Sequence, residues 1–310
     1  MTEFIRIPSN PPPPGAETFQ FNARDGAPLR GAYFPRDHSR RTILLLTGWS
    51  EFIEKYFEVV GDLHDRGFSV AMMDWRGQGL SDRNSPRMSS WVGYFDRIAD
   101  DLRYFAHEYV SKRFGPPHFL MTHSMGGMAA LTALAAGEDQ FKKAVLCAPM
   151  SRLFPNPVNA FFHRAADLAC LLGQAGSPIA ARTDDAFVFE GNIFTKDRAR
   201  HERFRDLQLA EPRAAISSPT YGWVRDAMRA SKALHRAGGL DKLKTPTLIV
   251  TAGEEKRVDA ADHQRLAARN VNISVATIQD ALHEIMMETD EIRSKYWAVV
   301  DDFLGDYNTA

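Results

Sequence analysis

The sequence predicts an α/β fold, a mostly parallel central sheet with helices on both faces and an inserted helical cap. Three observations carry that expectation. Short apolar runs without alternation recur along the chain, among them "TILLL", "SVAMM", "HFLMT", "KAVLC" and "TLIV". Such runs suit strands buried on both faces. Segments with helical spacing separate them, which is the pattern of parallel strands joined by crossover helices. The rhythm stops once, from about 150 to 239, where helix-like pieces are interrupted by Pro155, Pro157, Pro178, Pro212 and Pro219. The chain is therefore divided into a core, 1–149 and 240–310, and a cap or lid insertion, 150–239.

Each element has its own reason. The prolines at 11–14 make an extended lead-in. "TFQFNA" and "LRGAYFP" flank "RDGAP", whose turn chemistry at Arg24-Asp25-Gly26 makes a β-hairpin. "TILLLTG" is a buried strand ending in glycine, and "IEKYFEVVGDLHDRG" is a helix that stops at Gly67. "FSVAMMDW" is a second buried strand, followed by the loop "RGQGLSDRNSP". Then come a helix from Tyr94 to Phe114, the strand "HFLMTH", a helix from Met125 and the strand "KKAVLCAP". After the insertion the rhythm resumes with "TPTLIVTAG", a helix from Ala260, the weaker strand "NISVATI" and a helix from Thr289 to Leu304.

Bulk properties narrow the function. With 310 residues there is room for one large domain or a core with a subdomain. Hydrophobic content of 44% and charged content of 25% are those of an ordinary globular protein. A formal net charge of −1 supplies no field for a nucleic-acid partner. Cys147 and Cys170 form no CxxC and no zinc spacing, and their apolar neighbours predict two buried free thiols. The N-terminus "MTEFIRIPSNPPPPG" has no apolar h-region, so no secretory signal is expected. No run approaches the length of a membrane span, so the expected place is the cytoplasm, with surface contact with lipid left open.

The chemistry concentrates at "FLMTHSMGGMAAL", a strand, a tight turn and a small-residue helix with Ser124 at the tip. A serine there projects its oxygen beyond the sheet edge, at the positive end of the new helix. The Met125 N–H then points to where an oxyanion would form. The ordinary alternative is a serine that caps the helix. A serine nucleophile needs a histidine held by a carboxylate. Of ten histidines, His283 in "TIQDALHEI" follows the last core strand, where the order Ser, acid, His places the base. His263 lies in a charged helical stretch, His201 and His235 belong to the insertion, and His123 points away if Ser124 holds the tip. The acid belongs after "TLIVTAG", where Glu254, Glu255 and Asp259 qualify by type and Asp280 lies near the histidine. The residues alone leave Glu255 and Asp259 level. The second oxyanion donor is expected after "TILLLTG", with the Trp49 N–H preferred over Gly48.

Together "DWRGQGLSD" (74–82), "HSMGG", "TPTLIVTAGEEKRVD", "ALHEI" and "PTYGWVRDAMRAS" resemble the α/β-hydrolase superfamily, and within it the lysophospholipase L2 and monoacylglycerol lipase group. The likeness spans almost the whole chain. It departs from the family pattern at three places. Thr122 replaces the first glycine of the elbow, Thr47-Gly48 replaces a His-Gly, and Glu255 stands where the family's pattern has aspartate. The match of Gly253 to Val258 with that pattern selects Glu255 as the acid over Asp259. In the family "RGQGLSD" is a structural turn, with Asp74 on local backbone. As a phosphate loop, its lone G-x-G is weak.

The resemblance implies a serine hydrolase cleaving lysophospholipids, monoacylglycerols or related small acyl esters through an acyl-enzyme. No cofactor is required, and His283-Glu284 lacks the second histidine of a zinc motif, so no metal is expected. Phe154, Phe161, Phe162, Leu168, Leu171 and Leu172 are candidates for an acyl-chain route or for the cap's own small core. Tyr221 and Trp223 carry the same two readings. A thioesterase or acyltransferase on the same residues, or a ligand-binding homologue without turnover, are the alternatives. Ser124 excludes an aspartate nucleophile at this turn.

Overall fold

A computed structural model describes residues 3–81, 94–116, 118–153, 158–180, 188–216 and 218–305. Asp82, Phe154, Pro155 and Pro157 lie outside the described residues. The hairpin strands are β1 (Glu17–Asn22) and β2 (Pro28–Phe34), antiparallel with Phe21 opposite Leu29. They are followed by β3 (Thr42–Leu46), α1 (Phe57–Asp65) and β4 (Ser69–Met73), with a 3₁₀ turn, Ile53–Tyr56, leading into α1. The expected single helix from Tyr94 to Phe114 is α2 (Tyr94–Phe105), a π turn (Ala106–Val110) and α3 (Ser111–Phe114). Then follow β5 (His118–His123), α4 (Met125–Ala135) and β6 (Phe141–Cys147).

Residues between β6 and β7 (Thr247–Ala252) contribute α5 (Val158–Leu171), α6 (Arg198–Ala210) and α7 (Tyr221–Leu234). The chain closes with α8 (Ala261–Ala267), β8 (Ile273–Ile278) and α9 (Asp290–Leu304). The strands form one sheet in the order β1-β2-β4-β3-β5-β6-β7-β8, parallel from β4 to β8.

Strand periodicity builds the two halves of the core. Leu44, Leu46, Met73, Leu120 and Leu146 point to the face covered by α2 and α4. Their neighbours Ile43, Leu45, Met72, Met121 and Val145 point to the face covered by α1 and α9. Helix α7 belongs to the first of these faces, because Trp223, Val224, Ala227 and Met228 are buried in the same cluster as α2 and α4. The inserted segment is therefore not a separate layer throughout its length. Helix α6 is fastened by a small apolar cluster, in which its Leu207 is buried with Ile5 and Phe52, and by charge. Glu58 of α1 accepts from Arg200 (3.0 Å) and Arg203 (2.9 Å) of α6 and from Arg293 (2.9 Å) of α9. Burial pushes the Glu58 carboxyl up, but these guanidiniums pull it down to about 2.

The loop after β4 is held from below. Asp74 accepts from the Ile53 N–H (3.0 Å) and the Leu80 N–H (2.7 Å), as expected of a local turn. It also meets the fully buried Arg30, whose guanidinium makes two 2.8 Å bonds to Glu54. Removing one member of such a buried set leaves an uncompensated charge, at a cost of about 3–5 kcal/mol.

One sequence expectation is corrected here. Cys147 is buried, but Cys170 is only partly so, because it sits on α5, whose outer face is open. On that face Phe161 (71% exposed), Leu168 (57%), Leu171 (83%) and Leu172 (68%) stand in solvent, and Phe162 is 41% exposed. The rings of Phe161 and Phe162 meet each other at 5.6 Å.

Candidate active site

Ser124 sits between β5 and α4 with φ 47° and ψ −110°, a conformation a non-glycine residue adopts only under local constraint. The constraint is visible. The Ser124 N–H donates to the Cys147 carbonyl (3.0 Å), and its own carbonyl accepts from Met150 (2.8 Å) and Gly127 (2.9 Å). The following glycines are required by contact. A Cβ on Gly126 would lie 2.7 Å from the Thr47 carbonyl oxygen, and one on Gly127 would lie 2.4 Å from the Pro149 side chain.

The Ser124 side chain makes no helix-capping bond. Its Oγ lies 2.9 Å from His283 Nε2, and His283 Nδ1 lies 2.7 Å from Glu255 Oε2. This arrangement sets the tautomer: Nδ1–H donates to the carboxylate, and Nε2 accepts from the hydroxyl. The other Glu255 oxygen accepts from the N–H groups of Arg257 (2.7 Å) and Val258 (3.3 Å). Burial raises the Glu255 carboxyl, but His283 and these two donors bring it below its usual range. Burial dominates at His283 and lowers its pKa, although Glu255 pulls the other way. A neutral imidazole against a hydroxyl can take a proton.

The competing residues are elsewhere. Asp259 is 2.9 Å from Arg265, Glu254 is 2.7 Å from Lys196, and Asp280 is 3.1 Å from Lys295. His263 bonds Thr251 and the Pro149 carbonyl, each at 2.8 Å, and His235 bonds Asp262 at 2.9 Å.

The turn after β3 faces the serine. Its Gly48 N–H is committed to Glu51, while the N–H groups of Trp49 and Met125 meet no acceptor among the described residues. The Trp49 ring packs 6.0 Å from Trp223 of α7, which in turn lies 5.8 Å from Phe95. Tyr221 is half-buried beside them. Thr122 is fully buried and pairs in register with Leu46 and Leu146. The only shift in that ladder lies between His118 and Leu120.

Sequence reasoning missed the residues behind this face. Gln78, in the loop read as a plain turn, accepts from the Ser50 N–H (2.6 Å) and reaches Met125 Sδ (3.2 Å). Glu51 and Lys55 are buried and bonded to each other at 2.7 Å. Their signal was an i, i+4 charge pair in a stretch that also holds Glu54.

Among the described residues no group of three or more His, Cys, Asp or Glu could hold a metal ion, and no helix is long and apolar enough to cross a membrane.

Comparison with known proteins places this chain in a family. The family described as serine aminopeptidase, S33, matches residues 37–290, and the chain belongs to it. Lysophospholipase L2 of Escherichia coli K12 is 28% identical over 301 residues, 94% of this chain and 88% of that one. A soluble variant of monoglyceride lipase from Saccharomyces cerevisiae, solved with a substrate analog, superposes with a TM-score of 0.76 at 20% identity. It covers 97% of this chain and all (100%) of that one. Monoacylglycerol lipase of Paleococcus ferrophilus gives a TM-score of 0.68 at 17% identity, over 89% of this chain and 98% of that one. These structural likenesses establish the α/β-hydrolase fold.

Proposed function

We propose that this chain is a serine hydrolase of carboxylic esters, with Ser124 as nucleophile, His283 as base and Glu255 as the acid. The observation that carries the reading is the line from Ser124 Oγ through the lowered-pKa imidazole of His283 to Glu255, at 2.9 and 2.7 Å. His283 removes the hydroxyl proton as Oγ attacks the carbonyl carbon. The Trp49 and Met125 N–H groups receive the developing oxyanion. His283 then protonates the leaving alcohol, activates a water and releases the acid. Glu255 holds the tautomer and balances the imidazolium.

The substrate reading is supported by the names of relatives, a lysophospholipase and two monoacylglycerol lipases. A lysophospholipid or monoacylglycerol is the proposed substrate. The segment 150–239 is the proposed cap: its Trp223 meets Trp49, and its Ile216 carbonyl accepts from Ser50 Oγ (2.8 Å). Trp223 and Tyr221 then shape the wall beside the oxyanion donors. The open apolar face of α5 supports contact with a lipid surface from the cytoplasmic side. Sedimentation with vesicles tests this last point, and no co-sedimentation of active protein rejects it.

Labelling with a fluorophosphonate probe, lost in Ser124→Ala, tests the nucleophile. A well-folded protein that does not label is a binding homologue instead. Lysolipid, monoacylglycerol, thioester and aminoacyl anilide substrates, compared side by side, separate the ester reading from thioesterase and aminopeptidase activities.

A further inference from the structure

Behind the proposed site lies a second set of ionisable groups that the reaction does not use. His123, next to the nucleophile in sequence, turns away from it. Its Nδ1 lies 3.0 Å from Glu51 Oε2, and its Nε2–H points at the main-chain carbonyl of His283 at 3.3 Å. The same Glu51 oxygen accepts from the Gly48 N–H and from the Tyr56 hydroxyl (2.7 Å). The other oxygen takes Lys55 at 2.7 Å, and Lys55 continues to Glu284 at 2.6 Å. Glu51, Lys55 and His123 are all buried.

These bonds end on all three loops that the reaction needs. Gly48 adjoins Trp49, His123 adjoins Ser124, and Glu284 adjoins His283. Stability is a poor reason for such a cluster, because apolar residues of the same volume usually serve a fold as well or better. We propose that Glu51 and His123, linked through Lys55 to Glu284, are positioning residues that set the oxyanion donors and the base relative to the nucleophile. The inference rests on the serine-hydrolase reading above.

The charges support the geometry. Burial disfavours the His123 cation, but Glu51 overrides it and raises the pKa. Burial likewise opposes the Glu51 carboxylate, and His123 and Lys55 take it well below the usual range. The Lys55 ammonium, disfavoured by burial, is kept by Glu284 and Glu51. Other titratable groups facing the cluster are Tyr56, the Cys147 thiol on β6, His201 on α6 and His283 itself. The ring of His123 lies 5.0 Å from that of His283 and, when charged, lowers its pKa.

The test compares wild type with Glu51→Gln, His123→Phe and His123→Gln in the full chain, using a p-nitrophenyl ester and a fluorophosphonate. Small misplacements in a reacting constellation cost up to about 100-fold, so Glu51→Gln and His123→Phe should lose roughly 10- to 100-fold in kcat with little change in KM. His123→Phe should also move the acid limb of kcat to higher pH, since the cation that depresses His283 is gone. His123→Gln keeps a neutral donor for the His283 carbonyl and should recover part of kcat, with the limb still displaced. Wild-type kcat and an unmoved limb in His123→Phe, with or without a lower Tm, overturn the proposal. Should that variant not fold, Tyr56→Phe removes one donor from Glu51 and should lower kcat about threefold or more; unchanged kcat there overturns it as well. Wild type that neither turns over nor labels overturns the hydrolase reading and this inference together, whereas active wild type with unaffected variants overturns this inference alone.

Discussion

Two histidine–glutamate pairs stand side by side in this molecule, with imidazole centroids 5.0 Å apart, and they hold their protons differently. His283 is lowered and His123 is raised, although both are buried and both meet a carboxylate through Nδ1. Burial outweighs Glu255 at His283, whereas Glu51 overcomes burial at His123, and the far nitrogens also meet different groups. Nε2 of His283 faces the Ser124 hydroxyl, which can donate, so the neutral ring is satisfied. Nε2 of His123 faces a carbonyl, which can only accept, so that nitrogen must carry a proton. The carboxylates differ too, because Glu255 divides its charge with two backbone donors whereas Glu51 is paired with His123 and Lys55. Two His–Glu pairs of like geometry thus differ in what their far nitrogens meet and in how their carboxylates are paired.

The largest effect should separate the two pairs. Ser124→Ala and His283→Ala should each cost about 10⁴-fold or more in kcat, equal to roughly 5 kcal/mol of transition-state stabilisation. A loss from His283→Ala no greater than that from His123→Phe would erase the distinction drawn here. Glu255→Gln should follow, at about 10²- to 10⁴-fold, because the amide keeps the shape but not the charge that balances the imidazolium. Asp259→Asn, assayed at equal folding, should leave kcat near wild type; a collapse there would transfer the acid role to Asp259.

A smaller effect concerns pH. Burial lowers His283, so the acid limb of kcat/KM in wild type should have its midpoint below the ordinary histidine value of about 6.5. Glu255 raises His283, so Glu255→Gln should move that limb lower still, the reverse of the shift expected for His123→Phe. Limbs that move together would refute the opposition of the two pairs. The smallest effect is at the elbow. Thr122→Gly should leave kcat unchanged, because the strand register there is regular, and should cost roughly 0.5–1 kcal/mol in stability for glycine within a strand. A large fall in kcat would show that the threonine supports the turn.

Much of this was legible in one dimension. Each buried strand announced itself as an unbroken apolar run because both of its faces are covered. The turn at Ser124 was legible from the serine and from Gly126 and Gly127, which contact requires to be small. The choice of Glu255 was legible only through resemblance. Nothing local distinguishes Glu255 from Asp259, and the distinction is made by which side chain reaches Nδ1 across the gap between two loops.

The exposure of the Phe and Leu residues on α5 was not legible, because apolar character alone does not say what lies opposite. Trp223 has the same apolar character, yet it is buried against Trp49 and Phe95. His123 was set aside as a neighbour of the nucleophile, and Glu51, Lys55 and Glu284 were not singled out. Their meaning depends on partners up to 160 positions away in the chain, as the His123–His283 contact shows.

By itself the sequence determined the alternation of strand and helix and the tight turn that carries Ser124, since these follow from local pattern and from glycines that contact requires. Only the tertiary structure decided which carboxylate meets His283, which N–H groups stay open and which histidine has its pKa raised. Those depend on distances between loops and on burial, and neither quantity is a property of any short stretch of chain.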